Sequence, residues 1–155
     1  MQLKKFLMLL PSLSGLLLLA QNSPILNVTP PEPVNAKPGS AFTAKFSASL
    51  NEGFHMNSHT PAEPYLIPLT LKWTLGAGET ADVEYPKPEM LKLPFEAKPL
   101  SVLTGKSTFA TKFKLPANAK PGPLTIMGKL RYQACNDKAC FAPKTVDVKL
   151  PVNVQ

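Results

Sequence analysis

An all-β fold, an antiparallel β-sandwich of immunoglobulin type, is predicted by three observations. Apolar side chains recur at every second position in several runs, Gly- and Asn-containing turn signals separate those runs, and 18 prolines exclude long helices. Two-residue alternation gives each strand one face for a core. About seven short strands at this spacing build a sandwich.

The chain opens with Lys4 and Lys5, continues with an apolar stretch of 14 residues from Phe6 to Leu19 interrupted by Pro11, and reaches small Ala20 before polar Gln21-Asn-Ser-Pro24. That layout predicts a signal peptide over residues 1–20, cleaved after Ala20. The stretch is shorter than the ~20 apolar residues needed to span a bilayer, and no later segment is long and apolar enough to do so. With no cysteine at the junction, lipid attachment there is excluded. Residues 21–155 are then expected as one exported domain in an oxidising compartment where a disulfide is the resting state. Loss of the two lysines with the signal lowers the formal charge from +7 to +5. The remaining lysines, among them Lys37, Lys45, Lys72, Lys92, Lys98, Lys112 and Lys129, are scattered and lack interleaved aromatic positions. They read as a solvated surface, not as a nucleic-acid interface.

After a stiff lead-in, Thr29-Pro-Pro-Glu-Pro33, the first clear strand is Phe42 to Leu50, with Phe42, Ala44, Phe46, Ala48 and Leu50 on one face. The same period recurs in Leu69 to Trp73, with Trp73 as a core anchor, in Phe109 to Leu115 and in Leu124 to Tyr132. Asn51-Glu-Gly53, Gly76-Ala-Gly-Glu79 and Pro116 to Gly122 are the turns between runs. Pro68 and Pro143 must lie at strand starts, bulges or edges, because proline donates no ladder hydrogen bond. No internal repeat or low-complexity tract interrupts the domain.

Cys135 and Cys140 are the only cysteines. On a helix their side chains would diverge by ~140° and lie ~7.5 Å apart along the axis, too far to bridge. Across a tight antiparallel hairpin turning at Asn136 to Ala139 they can face each other at ~4.5 Å between Cα atoms. A ring this small supplies roughly 2 kcal/mol through loop entropy, so a purely structural role is poorly rewarded. Spacing alone leaves an inert staple and a redox pair equally open. If the inward parity of Leu124, Ile126, Leu130 and Tyr132 continues without a bulge, Cys135 points away from the deep core, towards reactivity.

Tyr132-Gln-Ala-Cys-Asn-Asp-Lys-Ala-Cys140 with Pro143, the run Glu52-Gly-Phe-His-Met-Asn-Ser-His-Thr-Pro61 leading to Tyr65-Leu-Ile-Pro68, and Tyr85-Pro-Lys-Pro88 together resemble the N-terminal periplasmic domain of the thiol:disulfide interchange protein DsbD. The resemblance covers about Pro33 to Val154. It implies an immunoglobulin-like sandwich whose cysteine pair, Cys135 and Cys140, takes electrons from a membrane module and passes them to thioredoxin-like periplasmic proteins. It also implies that Cys140 forms the mixed disulfide with partners. Lys138, Lys144 and Arg131 are near enough in sequence to assist thiol ionisation, and with no helix N-terminus to acidify either thiol the expected role is a relay, not a strong oxidant. The family's cap loop matches Leu91 to Pro99, with Phe95 as the shielding ring, and Tyr132 is a second cap or partner-contact position. Ordinary core is the competing account of Phe95.

Two departures from the family stand out. Full-length members continue into a membrane region and a thioredoxin-like domain, whereas this sequence ends at Gln155, so either a separate membrane electron donor is expected or the relay role has been lost. Ala142 stands where many relatives have a second proline. No cofactor is implied.

Two other readings stay open on the residues. His55, Met56, His59 and Met90 with the two cysteines contain the ligand types of a copper or zinc site. The four-residue step between the histidines suits a helix, however, and their neighbourhood reads as strand and loop. The third reading is a sandwich used for protein contacts, with the bridge as a staple.

Overall fold

The computed structural model describes residues 24–76, 79–94 and 96–155. The expected signal peptide and Phe95 therefore lie outside the described residues. Within them the chain forms twelve strands and no helix: β1 (Leu26–Thr29), β2 (Val34–Ala36), β3 (Ala41–Leu50), β4 (His55–Asn57), β5 (Thr70–Thr74), β6 (Thr80–Glu84), β7 (Glu89–Leu91), β8 (Leu100–Thr104), β9 (Lys106–Lys114), β10 (Gly122–Tyr132), β11 (Ala134–Cys135) and β12 (Lys144–Val154). They make three four-stranded sheets, β1-β3-β9-β6, β2-β12-β10-β5 and β11-β4-β8-β7. All neighbours are antiparallel except β2 and β12, which run parallel.

The four alternating runs of the sequence are the long strands β3, β5, β9 and β10, and their apolar faces meet between the first two sheets. Phe46 and Phe109, register partners on β3 and β9, stack with ring centroids 4.8 Å apart. Leu71, Leu130 and Val148 from the second sheet join them in one cluster, and Phe113, Leu115, Ile126, Leu150 and Val152 form another. Trp73 packs against both clusters and ties the sheets together, its indole Nε1 donating to Thr111 Oγ1 on β9 at 3.1 Å. Gly128, its register partner on β10, makes room for the ring. A Cβ at that position would lie 2.8 Å from the indole, closer than two carbon atoms can pack.

The turns follow the punctuation. Phe54 N–H donates to the Asn51 carbonyl at 3.2 Å, with Gly53 at φ 80°, and Ala119 N–H donates to the Pro116 carbonyl at 3.1 Å. Pro143 directly precedes β12, and Pro68 stands just before β5.

The third sheet accounts for the strands beyond the expected seven. Its β4 is buried at all three positions, His55, Met56 and Asn57, and so shows no alternation. A separate small core of Leu66, Leu93, Leu100 and Val102 belongs to this region. At Gln133 the chain leaves the second sheet, where Tyr132 faces Lys144, and enters the third, where Ala134 faces Met56 and Cys135 faces His55. That change of sheet overturns the parity expectation. Cys135 is 1 % exposed, because its strand stops continuing β10 before the cysteine is reached.

Candidate functional site

The two cysteines close a hairpin on the edge strand of the third sheet. Asn136 N–H donates to the Ala139 carbonyl and Phe141 N–H to the Ala134 carbonyl, both at 2.9 Å, so Cys135 and Cys140 occupy the non-hydrogen-bonded position between them. At such positions facing residues approach most closely. Their Cα atoms are 3.9 Å apart and the sulfurs are bonded. Asn136 builds the turn: its Oδ1 accepts the N–H groups of Lys138 and Ala139, both at 2.9 Å, replacing the backbone bond a tighter turn would use.

Gln133 fixes where this hairpin sits. Its Oε1 accepts Asn57 Nδ2 at 3.0 Å and Ile67 N–H at 3.2 Å, while its Nε2 donates to the Phe141 carbonyl at 3.2 Å. Asn57 Nδ2 also donates to the Ile67 carbonyl at 2.9 Å. One amide thus joins the outgoing strand of the hairpin, the return strand and the segment before β5.

The resulting site is asymmetric. Cys135 is buried and Cys140 is exposed. Both border a cavity of 180 Å³ with His55, Leu66, Leu93 and Leu100 on its walls and Tyr65, Glu96 and Lys138 around it. Tyr65 is 64 % exposed, and its phenol is held above the ordinary 10.0 by desolvation and by the carboxylates of Glu96 and Glu63. Phe141, next to Cys140, is part-exposed and tilts onto Phe54 with centroids 5.9 Å apart. His55, the register partner of Cys135, is buried, its Nε2 has no hydrogen-bond partner, and burial lowers its pKa below 6.5.

Several residues singled out in the sequence lie elsewhere. Tyr132 is 2 % exposed within the main core, where burial raises its phenol pKa, so its ring offers no surface to a partner. His59 stacks on Tyr85 at 3.8 Å, and its Nδ1 lies 2.9 Å from the Leu69 carbonyl. Met56 is fully buried and Met90 is exposed. Of the metal reading only His55 joins the cysteines, which are bonded to each other, while His59 and Met90 lie elsewhere, and among the described residues no group of three or more His, Cys, Asp or Glu is placed to hold a metal ion. Of the three nearby cations, Lys138 borders the cavity, whereas Arg131 lines a groove against Lys72, Trp73 and Lys129. Gln133, Tyr65 and the pairing of His55 with Cys135 were not anticipated. Gln133 stands inside the motif, but nothing in its spacing reveals its three partners.

Because backbone bonds and Asn136 close the hairpin without the bridge, Cys135→Ala/Cys140→Ala is expected to keep the fold and lose no more than roughly 2 kcal/mol in denaturant unfolding. A variant that unfolds globally would show the bridge to be a staple.

A β-sandwich carrying a half-buried, half-exposed disulfide on an edge hairpin defines a class of domain suited to thiol–disulfide chemistry. Residues 23–151 match the family model for the N-terminal region of the thiol:disulfide interchange protein DsbD, and the chain belongs to that family. Among solved structures it is similar to the N-terminal periplasmic domain of ScsB from Proteus mirabilis, with a TM-score of 0.56 and 13 % identity over 81 % of this chain. The chain spans 44 % of the length of that protein. It is also similar to the reduced DsbD N-terminal domain of Neisseria meningitidis, with a TM-score of 0.47 and 16 % identity over 71 % of this chain and 77 % of that one. No curated protein matches the chain. Among the described residues no helix is long and apolar enough to cross a membrane.

Proposed function

We propose that this domain is a periplasmic electron relay, exchanging two electrons through Cys135 and Cys140 with thioredoxin-like proteins and receiving them from a membrane-embedded donor. The observation that carries this reading is the asymmetry of the pair: Cys140 is exposed and Cys135 is buried. A donor thiolate attacks Cys140 Sγ, the Cys135–Cys140 bond breaks, and Cys135 leaves as the thiolate and takes up a proton. The donor's second thiol then displaces Cys140, leaving the donor oxidised and the pair reduced by two electrons and two protons. Delivery runs in reverse: Cys140 attacks the partner's disulfide and Cys135 resolves the adduct.

Phe95, which lies in sequence between Leu93 and Glu96, two residues that border the cavity, is proposed as the ring that covers Cys140 between encounters. Redox titration in defined thiol buffers tests the relay. The bond is expected to equilibrate at a potential above about −300 mV, whereas a structural disulfide resists reduction below that value. Resistance of that kind would remove the relay and leave the staple.

A further inference from the structure

We propose that His55 is the proton acceptor for the Cys135 thiol, holding the S–H in the reduced protein and taking its proton when Cys135 becomes the nucleophile. This rests on the exchange function proposed above. The two residues are register partners on adjacent antiparallel strands, so their side chains leave the same face of the sheet side by side. Both border the cavity that also reaches Cys140.

The orphaned nitrogen is the second observation. Buried polar atoms almost always have partners, yet Nε2 of His55 has none while the cysteines are bonded to each other. In that state Cys135 has no proton to offer. Reduction places an S–H donor on the register partner of His55, which can then pair with the unused nitrogen, so the partner that Nε2 lacks appears only in the reduced protein. An acceptor unsatisfied in one state and satisfied in the other favours the second. His55 therefore biases the pair towards the dithiol.

The ring's surroundings leave it free for this task. Glu52 and Asp137 border the cavity on its other side, with Glu96, Tyr65 and Lys138 around the disulfide cavity. Thr104, its other register partner, donates its hydroxyl to Glu89. None of these engages Nε2. Burial keeps the imidazole neutral near pH 7, ready to accept.

In the resolving step the Cys135 proton moves to Nε2, and the thiolate attacks the Cys140 sulfur of a mixed disulfide. The Cys135–Cys140 bond forms and the partner's sulfur leaves as a thiolate, which takes the proton from the imidazolium directly or through solvent. Charge and protons balance without a further reactant.

The test uses the processed protein and oxidised glutathione, which needs no thioredoxin-like partner. Full reduction is followed by stopped-flow measurement of how fast the Cys140–glutathione adduct resolves, for wild type and His55→Phe, from pH 6 to 10. Resolution in the variant is expected to be about tenfold slower at pH 7. The two rates should converge above the ordinary thiol pKa of ~8.5, where solvent removes the proton unaided. The equilibrium constant for reduction should also fall about tenfold, which is ~30 mV for a two-electron couple. Equal rates at pH 7, or a slowdown by the same factor at every pH, would overturn the assignment.

If His55→Phe does not fold, the wild-type ring provides the measurement. Its NMR titration midpoint should differ between oxidised and reduced protein, and coincident curves would overturn the proposal. A wild-type protein that never exchanges with glutathione removes both this inference and the relay. His55-dependent glutathione exchange without exchange to any thioredoxin-like protein supports His55 and removes the relay alone.

Discussion

A Cys135→Ala variant is expected to accumulate covalent adducts with thioredoxin-like proteins through Cys140, while Cys140→Ala traps few or none. The difference follows from where the structure puts the two sulfurs. Cys140 is exposed on the return strand of the hairpin, so a partner's sulfur reaches it without opening of the sheet. Cys135 is 1 % exposed and sits against β4, so an external sulfur reaches it only after local opening. An opening free energy of about 3 kcal/mol, modest on the scale of sub-global fluctuations, reduces that reaction about a hundredfold. With Cys135 absent, the thiol that would release the partner is gone and the adduct persists. Non-reducing electrophoresis of periplasmic extracts, followed by mass spectrometry of the shifted bands, reads the result. Equal trapping by both variants would sink the division of roles. Adding Phe95→Ala to the Cys135→Ala background should speed alkylation of Cys140 if the ring covers the sulfur, and leave it unchanged if it does not.

The parts of this fold that can be read from sequence are those with enough length to show a period. Phe42 to Leu50 and Leu124 to Tyr132 each carry several alternations, and both became long strands with the expected faces inward, buried except for half-buried Phe42 and Leu124 near their ends. The cysteine hairpin was legible for a different reason: a short separation with Asn136 at the turn leaves few geometries that join two sulfurs, and a non-hydrogen-bonded strand pair is one of them. The third sheet was not legible. Strands of two or three residues, such as β4 and β11, are too short to display alternation, and β4 is buried along its whole length. Cys135 therefore lies in the core and not on the open face that unbroken parity predicts, since parity carries forward only while a strand stays in one sheet. The partnership of His55 with Cys135 is a long-range pairing, and the four-residue step between the histidines, which suits a helix, gives no sign of it. The fold separates those two rings, placing one in the third sheet and the other on Tyr85.

Gln133→Leu is expected to be the most costly single change near the site that leaves both cysteines in place. The substitution preserves much of the side-chain volume but removes three hydrogen bonds, to Asn57, Ile67 and Phe141. Asn57 keeps its bond to the Ile67 carbonyl, so its amide is not stripped bare. Ile67 N–H loses its partner in a part-buried setting, whereas the Phe141 carbonyl is exposed and water can replace the lost donor. Leaving a group unpaired costs about 1–3 kcal/mol at full burial, so the expected total is roughly 1–2 kcal/mol. For a domain of this size that lowers the melting temperature by roughly 5 °C. Gln133→Glu separates the two halves of the bracket: a carboxylate still accepts from Asn57 and Ile67 but cannot donate to Phe141. Its loss should be smaller, and it should fall mainly on the return strand that carries Cys140. Hydrogen exchange would then show faster exchange at Phe141 N–H, which bonds to Ala134, with little change in β10. A Gln133→Leu protein as stable as wild type, with unchanged exchange at Phe141, would show that the hairpin is held by its backbone pairing alone and that the amide contributes nothing to presenting Cys140.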